Sequence, residues 1–298
     1  MKFNDEIKSK IEEIAGGNVE SITKIGSGVN NAVYLINVNN KSFSLKIKER
    51  GIYDFFDNES TALRILDGFI APKLYLYNDS DRDSKFLLLE YITGAPIKSI
   101  SEIGISELAL LVSKIHSRTQ REKSIQSNLN TDLKAYLDDK CFSSIDELEN
   151  IKFSKISELT KACNTVLKKS VQFDYSDPYH EVLIHGDLNV TNIIRDESGI
   201  WRLIDWELSR FAQIETEIAA LIWAHCKTEQ EISNLLSSKL CDSKKEAIAI
   251  MTLARGLDVS TWRTKWINSL DKNDEKLEFY HSELDEDWTK IKILEAYL

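Results

Sequence analysis

The stretch His185-Gly186-Asp187-Leu188-Asn189-Val190-Thr191-Asn192, taken with Leu203-Ile204-Asp205-Trp206-Glu207, constrains this chain more than any other. Val182-Leu183-Ile184 leads into the first segment and Ile193-Ile194 leaves it, while Trp201-Arg202-Leu203-Ile204 brings the chain back to Asp205. Alternation and β-branched residues predict short strands holding a loop between them. Such a loop sets Asp187 and Asn192 on one rigid turn and returns Asp205 beside them. A capped turn with a solvated Asp explains His-Gly-Asp alone, but not Asn192 and Asp205 in register with it.

This spacing suits phosphoryl transfer, in which a protein mainly positions groups and neutralises charge. One carboxylate, Asp187, accepts a hydroxyl proton; an amide, Asn192, and a second carboxylate, Asp205, supply oxygen ligands of the kind Mg²⁺ prefers. The order Asp-x4-Asn, strand, Asp resembles the catalytic and metal loops of protein kinases. Gly186, however, stands where those enzymes carry Arg, and Trp206-Glu207 replaces Phe-Gly. The form His-Gly-Asp-x4-Asn…Ile-Asp-Trp-Glu resembles the aminoglycoside phosphotransferase and choline kinase family. Gly186 and the lack of a recognisable activation segment after Asp205 argue against a protein substrate.

At 298 residues the chain can bury a substantial core in one large domain or two lobes. A net charge of −10 argues against a general nucleic-acid binder and is compatible with a cationic substrate. Cys141, Cys163, Cys226 and Cys241 show no metal-ligand spacing and read as reduced residues. Met1-Lys2-Phe3-Asn4-Asp5-Glu6 lacks the apolar core of a signal peptide, and no run of about 18 apolar residues is present to cross a membrane. The expectation is a cytoplasmic protein without a membrane partner; the sequence is silent on oligomeric state.

Asn4 to Ala15 reads as an amphipathic helix stopped by Gly16-Gly17. Gly26-Ser27-Gly28 then lies between two strand-like runs, where glycines let backbone N–H groups approach phosphate oxygens, although a tight hairpin explains them equally. After a turn at Asn39-Asn40, Ser42 to Ile47 reads as a strand with Phe43, Leu45 and Ile47 on one face. Lys46 falls on the other face, towards the glycine loop, where it can bind phosphates. Asp57-Asn58-Glu59 begins a helix, with Glu59 in the first turn where the dipole favours it. Pro72 to Tyr77 and Phe86 to Ile92 read as strands, and Thr93-Gly94-Ala95-Pro96 breaks the second.

From there helices dominate: Ser106 to Arg118, amphipathic segments within Asp132 to Val171, Ile214 to Trp223, Gln230 to Leu240 and Ser243 to Leu257. His116 reads as a packing residue. Trp262 and Trp266 lie four apart on one helical face. Aromatics with carboxylates, such as the acidic stretch Glu283 to Asp287, can hold an organic cation; core packing and a solvated acidic face explain them as well.

The resemblance covers most of the chain and implies a kinase-like α+β fold. It implies a small nucleotide-binding lobe with an antiparallel sheet, residues 1–95, and a mainly helical catalytic and substrate lobe, residues 96–298. It makes Glu59 the partner that orients Lys46, and Glu90-Tyr91-Ile92 a hinge whose backbone meets the nucleobase. Gly26, Ser27 and Gly28 would cover the phosphates of ATP or GTP. It also sets Glu217 where relatives carry an Asp that braces the catalytic loop. Glu207, Trp262 and Trp266 are candidates for binding the acceptor, a small, cationic amino-alcohol or aminoglycoside with a free hydroxyl. The rival is a non-catalytic nucleotide-binding protein that has kept the fold; loss of Lys46, Asp187, Asn192 or Asp205 would have favoured it, and all four are present.

Overall fold

The computed structural model describes residues 5–27, 31–48, 55–79, 85–119, 146, 156–170, 181–237, 245–271, 274 and 276–298. Asn4, Gly28, Cys141, Cys241, the segment 174–180 and most of 132–155 lie outside the described residues. In chain order the helices are α1 (Asp5–Ala15), α2 (Phe56–Leu66), α3 (Ile105–Thr119) and α4 (Ile156–Ser170). They continue with α5 (Ile214–His225), α6 (Glu229–Leu236), α7 (Lys245–Ser269) and α8 (Leu277–Glu295). The strands are β1 (Val19–Ser27), β2 (Asn31–Val38), β3 (Lys41–Lys48), β4 (Leu74–Asn78) and β5 (Phe86–Glu90). After them come β6 (Gly94–Pro96), β7 (Glu181–Ile184), β8 (Ile193–Asp196), β9 (Trp201–Leu203) and β10 (Arg210–Gln213). The chain forms two compact units: Met1–Ile115 with Asp187–Arg210, and His116–Gly186 with Phe211–Leu298. The first unit therefore contains Asp187 to Glu207 as well as the N-terminal strands.

In the first unit five strands form an antiparallel sheet in the order β1-β2-β3-β5-β4. Asn39 and Asn40 both adopt positive φ, 49° and 61°, the left-handed pair that a two-residue hairpin needs. Ile7 and Ile11 of α1 pack with Ile36, Phe43, Leu45, Ile47, Phe86 and Leu88, sealing one face of the sheet. Lys46 pairs with Leu87 across β3 and β5 on the opposite face. Gly94 to Pro96, which reads as a break in the sequence, instead pairs with β8, and β8 pairs with β9. A Cβ on Gly94 would lie 2.5 Å from the Arg195 carbonyl oxygen, so this close pairing depends on a residue without a side chain.

In the second unit α7 is the central helix, packing against α4, α5, α6 and α8. Ala247 to Ala254 is buried on every side, as expected of a helix enclosed by others. The sequence suggests an end near Leu257, yet α7 continues to Ser269. Gly256 sits in its interior because Trp223 packs there; a Cβ would fall 2.3 Å from the indole Cζ3. Among the described residues no helix is long and apolar enough to cross a membrane.

His116 is buried, and its Nε2 has no hydrogen-bond partner among the described residues. Burial pushes its pKa down to about 4, so it packs as a neutral ring. The unfolded chain takes up this proton near pH 6.5 and the folded chain only near pH 4. His116 therefore costs stability as pH falls through that window, by about 3 kcal/mol at its lower end. Asp287, pushed up to about 6 mainly by burial, acts in the opposite direction over the same range. Urea unfolding of the parent and of His116→Gln isolates the histidine: the stability difference between them should shift in the variant's favour as pH falls from 6.5 to 4.5. A pH-independent difference would show that His116 does not carry this linkage.

Candidate functional site

Lys46 is 6% exposed, and three carboxylates of the first unit converge on its Nζ. Glu59 lies at 2.7 Å, Asp205 in direct contact and Glu207 at 3.3 Å. Glu59 reaches it from the first turn of α2 and is itself 1% exposed. Burial alone would lower the Lys46 pKa; Glu59, then Asp205 and Glu207, more than reverse this and hold the ammonium above its ordinary range. Glu59 is pushed up by burial first, with Asp205 and Glu207 adding and Lys46 opposing.

The segment carrying Asp205 is shaped by its neighbour. Trp206 is fully buried, its indole N–H donates to the Leu203 carbonyl at 2.9 Å, and α2 packs against Trp206–Leu208. Asp205 takes a left-handed backbone (φ 65°), uncommon for a residue with a side chain. The buried indole between them lets Asp205 and Glu207 reach the same ammonium. Glu207 also accepts from Asn31 Nδ2 at 3.0 Å, tying it to the start of β2. Asn31 is a site residue that sequence reasoning missed; its position directly after the glycine loop was the available signal.

The loop before it is held from two sides. Gly186 adopts φ 81°, a conformation that favours glycine. In the second unit Glu217, 2% exposed, accepts the backbone N–H groups of His185 and Gly186, the latter at 3.2 Å. The longer side chain thus meets the loop backbone where the sequence leaves its reach in question. In the first unit Asn192 Nδ2 donates to Asp187 Oδ2 at 3.0 Å and to the Asp187 carbonyl at 2.9 Å, and Asn189 Nδ2 donates to Asp187 Oδ1. Both carboxylate oxygens of Asp187 are therefore oriented by amides. The Ile204 N–H donates to the Asn192 carbonyl at 3.0 Å, which places Asp205 beside the same turn.

Lys46, Glu59, Asn192, Asp205 and Glu207 line a cavity of about 410 Å³ within the first unit. Gly26, Glu90, Tyr91 and Ile92 are among its lining residues. Ser27 closes β1 opposite Ala32. Apolar lining from Ile25, Val33, Leu89 and Ile194 together with the charged groups around Lys46 suits a flat ring system bearing an anionic tail. Ligand atoms of Glu59, Asp205 and Glu207 lie within 4.8 Å of one another. Three carboxylates facing one ammonium leave an excess of negative charge, and hard oxygen donors of this kind fit Mg²⁺.

Trp262 and Trp266 are on α7 of the second unit. They are 52% and 38% exposed and stacked at 6.1 Å, with Tyr280 edge-on to Trp266 at 6.4 Å. The acidic stretch beside them is not a free solvated face: Glu283 and Asp287 pair with Arg263, and Glu286 with Lys227 and Lys290.

Residues 21–236 match the sequence model of the phosphotransferase enzyme family (APH). Among curated protein sequences, none matches the chain. Similar solved structures include the choline kinase LicA from Streptococcus pneumoniae, 23% identical over 98% of each chain with a TM-score of 0.66. The aminoglycoside phosphotransferase APH(2")-IIa in complex with gentamicin is 18% identical over 95% of this chain and 96% of its own, with a TM-score of 0.64. Spectinomycin phosphotransferase APH(9)-Ia, bound to ADP and spectinomycin, is 14% identical over 97% and 99%, with a TM-score of 0.65. At these identities the likeness establishes a shared kinase-like α+β fold.

Proposed function

The chain belongs to the phosphotransferase enzyme family, and from that premise we propose that it moves the γ-phosphate of ATP or GTP to a hydroxyl of a small, cationic molecule. The observation that carries this reading is the convergence of Glu59, Asp205 and Glu207 on the buried Lys46 in the cavity that Asn192 also lines. Lys46, oriented by Glu59, holds the phosphates by charge, and Gly26 and Ser27 cover them with backbone N–H groups. The segment Glu90 to Ile92 presents its backbone to the nucleobase. Asn192 and Asp205 would hold Mg²⁺, which would neutralise charge on the phosphates. Asp187, fixed by Asn189 and Asn192, orients the acceptor hydroxyl and takes its proton.

The acceptor class rests on the net charge of −10 and on Glu207, Trp262 and Trp266 as candidate cation-binding groups. Choline and the aminoglycosides, named with the similar structures, are cations of this kind. A coupled ADP- and GDP-release assay across aminoglycosides, choline, ethanolamine, thiamine and simple sugars tests the proposal. Release stimulated by one acceptor class and dependent on Mg²⁺ is expected. Nucleotide binding with no acceptor effect across a widened panel would favour the non-catalytic reading, and absence of nucleotide binding would remove both.

A further inference from the structure

Arg202 lies on β9, three residues before Asp205, and its guanidinium is largely buried. One terminal nitrogen donates to Glu90 Oε2 at 2.7 Å and to the Ala71 carbonyl at 2.8 Å. The other lies 3.7 Å from Asp196 on β8. Glu90 Oε2 also accepts the Lys73 backbone N–H at 3.0 Å, and the Glu90 N–H donates to the Lys73 carbonyl at 2.8 Å. Arg202 is thus a buried cross-brace linking the cavity wall at Glu90, the chain before β4 and the strand that leads to Asp205. Its Nε has no hydrogen-bond partner among the described residues, so the placement has a cost that these contacts offset.

The two strands that this brace joins do different work at the cavity. At one end of the brace Glu90 ends β5 and opens the segment 90–92 of the cavity lining, whereas at the other β9 leads to Asp205, which meets Lys46. A ligand engaging both ends binds well only if their separation is fixed in advance, because ordering them on binding costs affinity. A lysine has a single donor centre and cannot span Glu90, Ala71 and Asp196 as a planar guanidinium does. We infer that Arg202 is a positioning residue for nucleobase binding, acting through Glu90 to hold the 90–92 segment in register with Asp205. This rests on the reading of the cavity as a nucleotide site.

Titration calorimetry of the full chain with Mg-ADP, Mg-GDP and Mg-pyrophosphate tests the inference. Arg202→Met should weaken whichever nucleotide the parent binds more tightly by about tenfold, while pyrophosphate affinity stays within about twofold. Arg202→Lys should recover part of the loss. Glu90→Gln, which removes the charge with little change of shape, should reproduce the direction and serves if Arg202→Met does not fold. Equal weakening of nucleotide and pyrophosphate, or unchanged nucleotide affinity in folded variants, would overturn the inference and leave the nucleotide site standing. A parent chain that binds neither nucleotide would overturn both.

Discussion

Asp187→Ala should lower acceptor-dependent turnover by about three orders of magnitude while changing Mg-ADP affinity by no more than a few-fold. The asymmetry follows from where Asp187 lies. It is not among the residues that line the cavity holding Lys46, Glu59 and Asp205, and its carboxylate accepts a hydrogen bond from Asn192, which does line it. A general base typically contributes about 10² to 10⁴ in rate, and in the proposed role the same carboxylate also orients the hydroxyl. Asp187→Asn sharpens the test, since an amide keeps the shape but cannot take the proton. It should be nearly as slow as Asp187→Ala. Turnover near normal in either variant would remove Asp187 from its proposed role. Loss of ADP affinity in parallel with turnover would instead mean that the turn had collapsed around Asn192.

Much of this site was legible because its parts obey short-range rules. Alternation along β3 separates Lys46 from Phe43, Leu45 and Ile47, and the structure seals those three beneath α1. Glu59 in the first turn of α2 meets Lys46 as the family resemblance implies. What escaped the sequence depends on partners distant along the chain. The segment Gly94 to Pro96 looks like a break because its hydrogen-bond partner, β8, comes about a hundred residues later. The helix read over Ser243 to Leu257 runs on to Ser269, and Gly256 within it accommodates Trp223 from another helix. Arg202 reads as an ordinary strand residue until Glu90 and Ala71 are beside it. The acidic stretch from Glu283 looks solvated because Arg263, Lys227 and Lys290 are brought to it only by the packing of the helices.

Glu217 shows the same limit at the residue that holds the backbone of His185 and Gly186, and its removal should be costly. The sequence marks it as a Glu where relatives carry a bracing Asp, and spacing alone does not say whether the extra methylene can be absorbed. The structure absorbs it: the carboxylate meets the N–H groups of both His185 and Gly186. Glu217→Ala leaves two amide groups in a buried region without that acceptor, at a cost of about 3 kcal/mol, since hydrogen bonds to a charged group contribute about 1.5–3 kcal/mol each. Because the loop runs directly from Gly186 into Asp187, turnover per folded molecule should fall as well, by roughly a hundredfold, as expected when a reacting group is misplaced by about 1 Å. Glu217→Gln retains one neutral acceptor and should fall between. Glu217→Asp keeps the charge but is too short to meet both amides without a backbone shift, so it should restore more stability than rate. Urea unfolding together with active-site-normalised turnover separates these effects. If Glu217→Ala lost stability alone, with turnover per folded molecule unchanged, the carboxylate would be a fold residue and not a brace for Asp187.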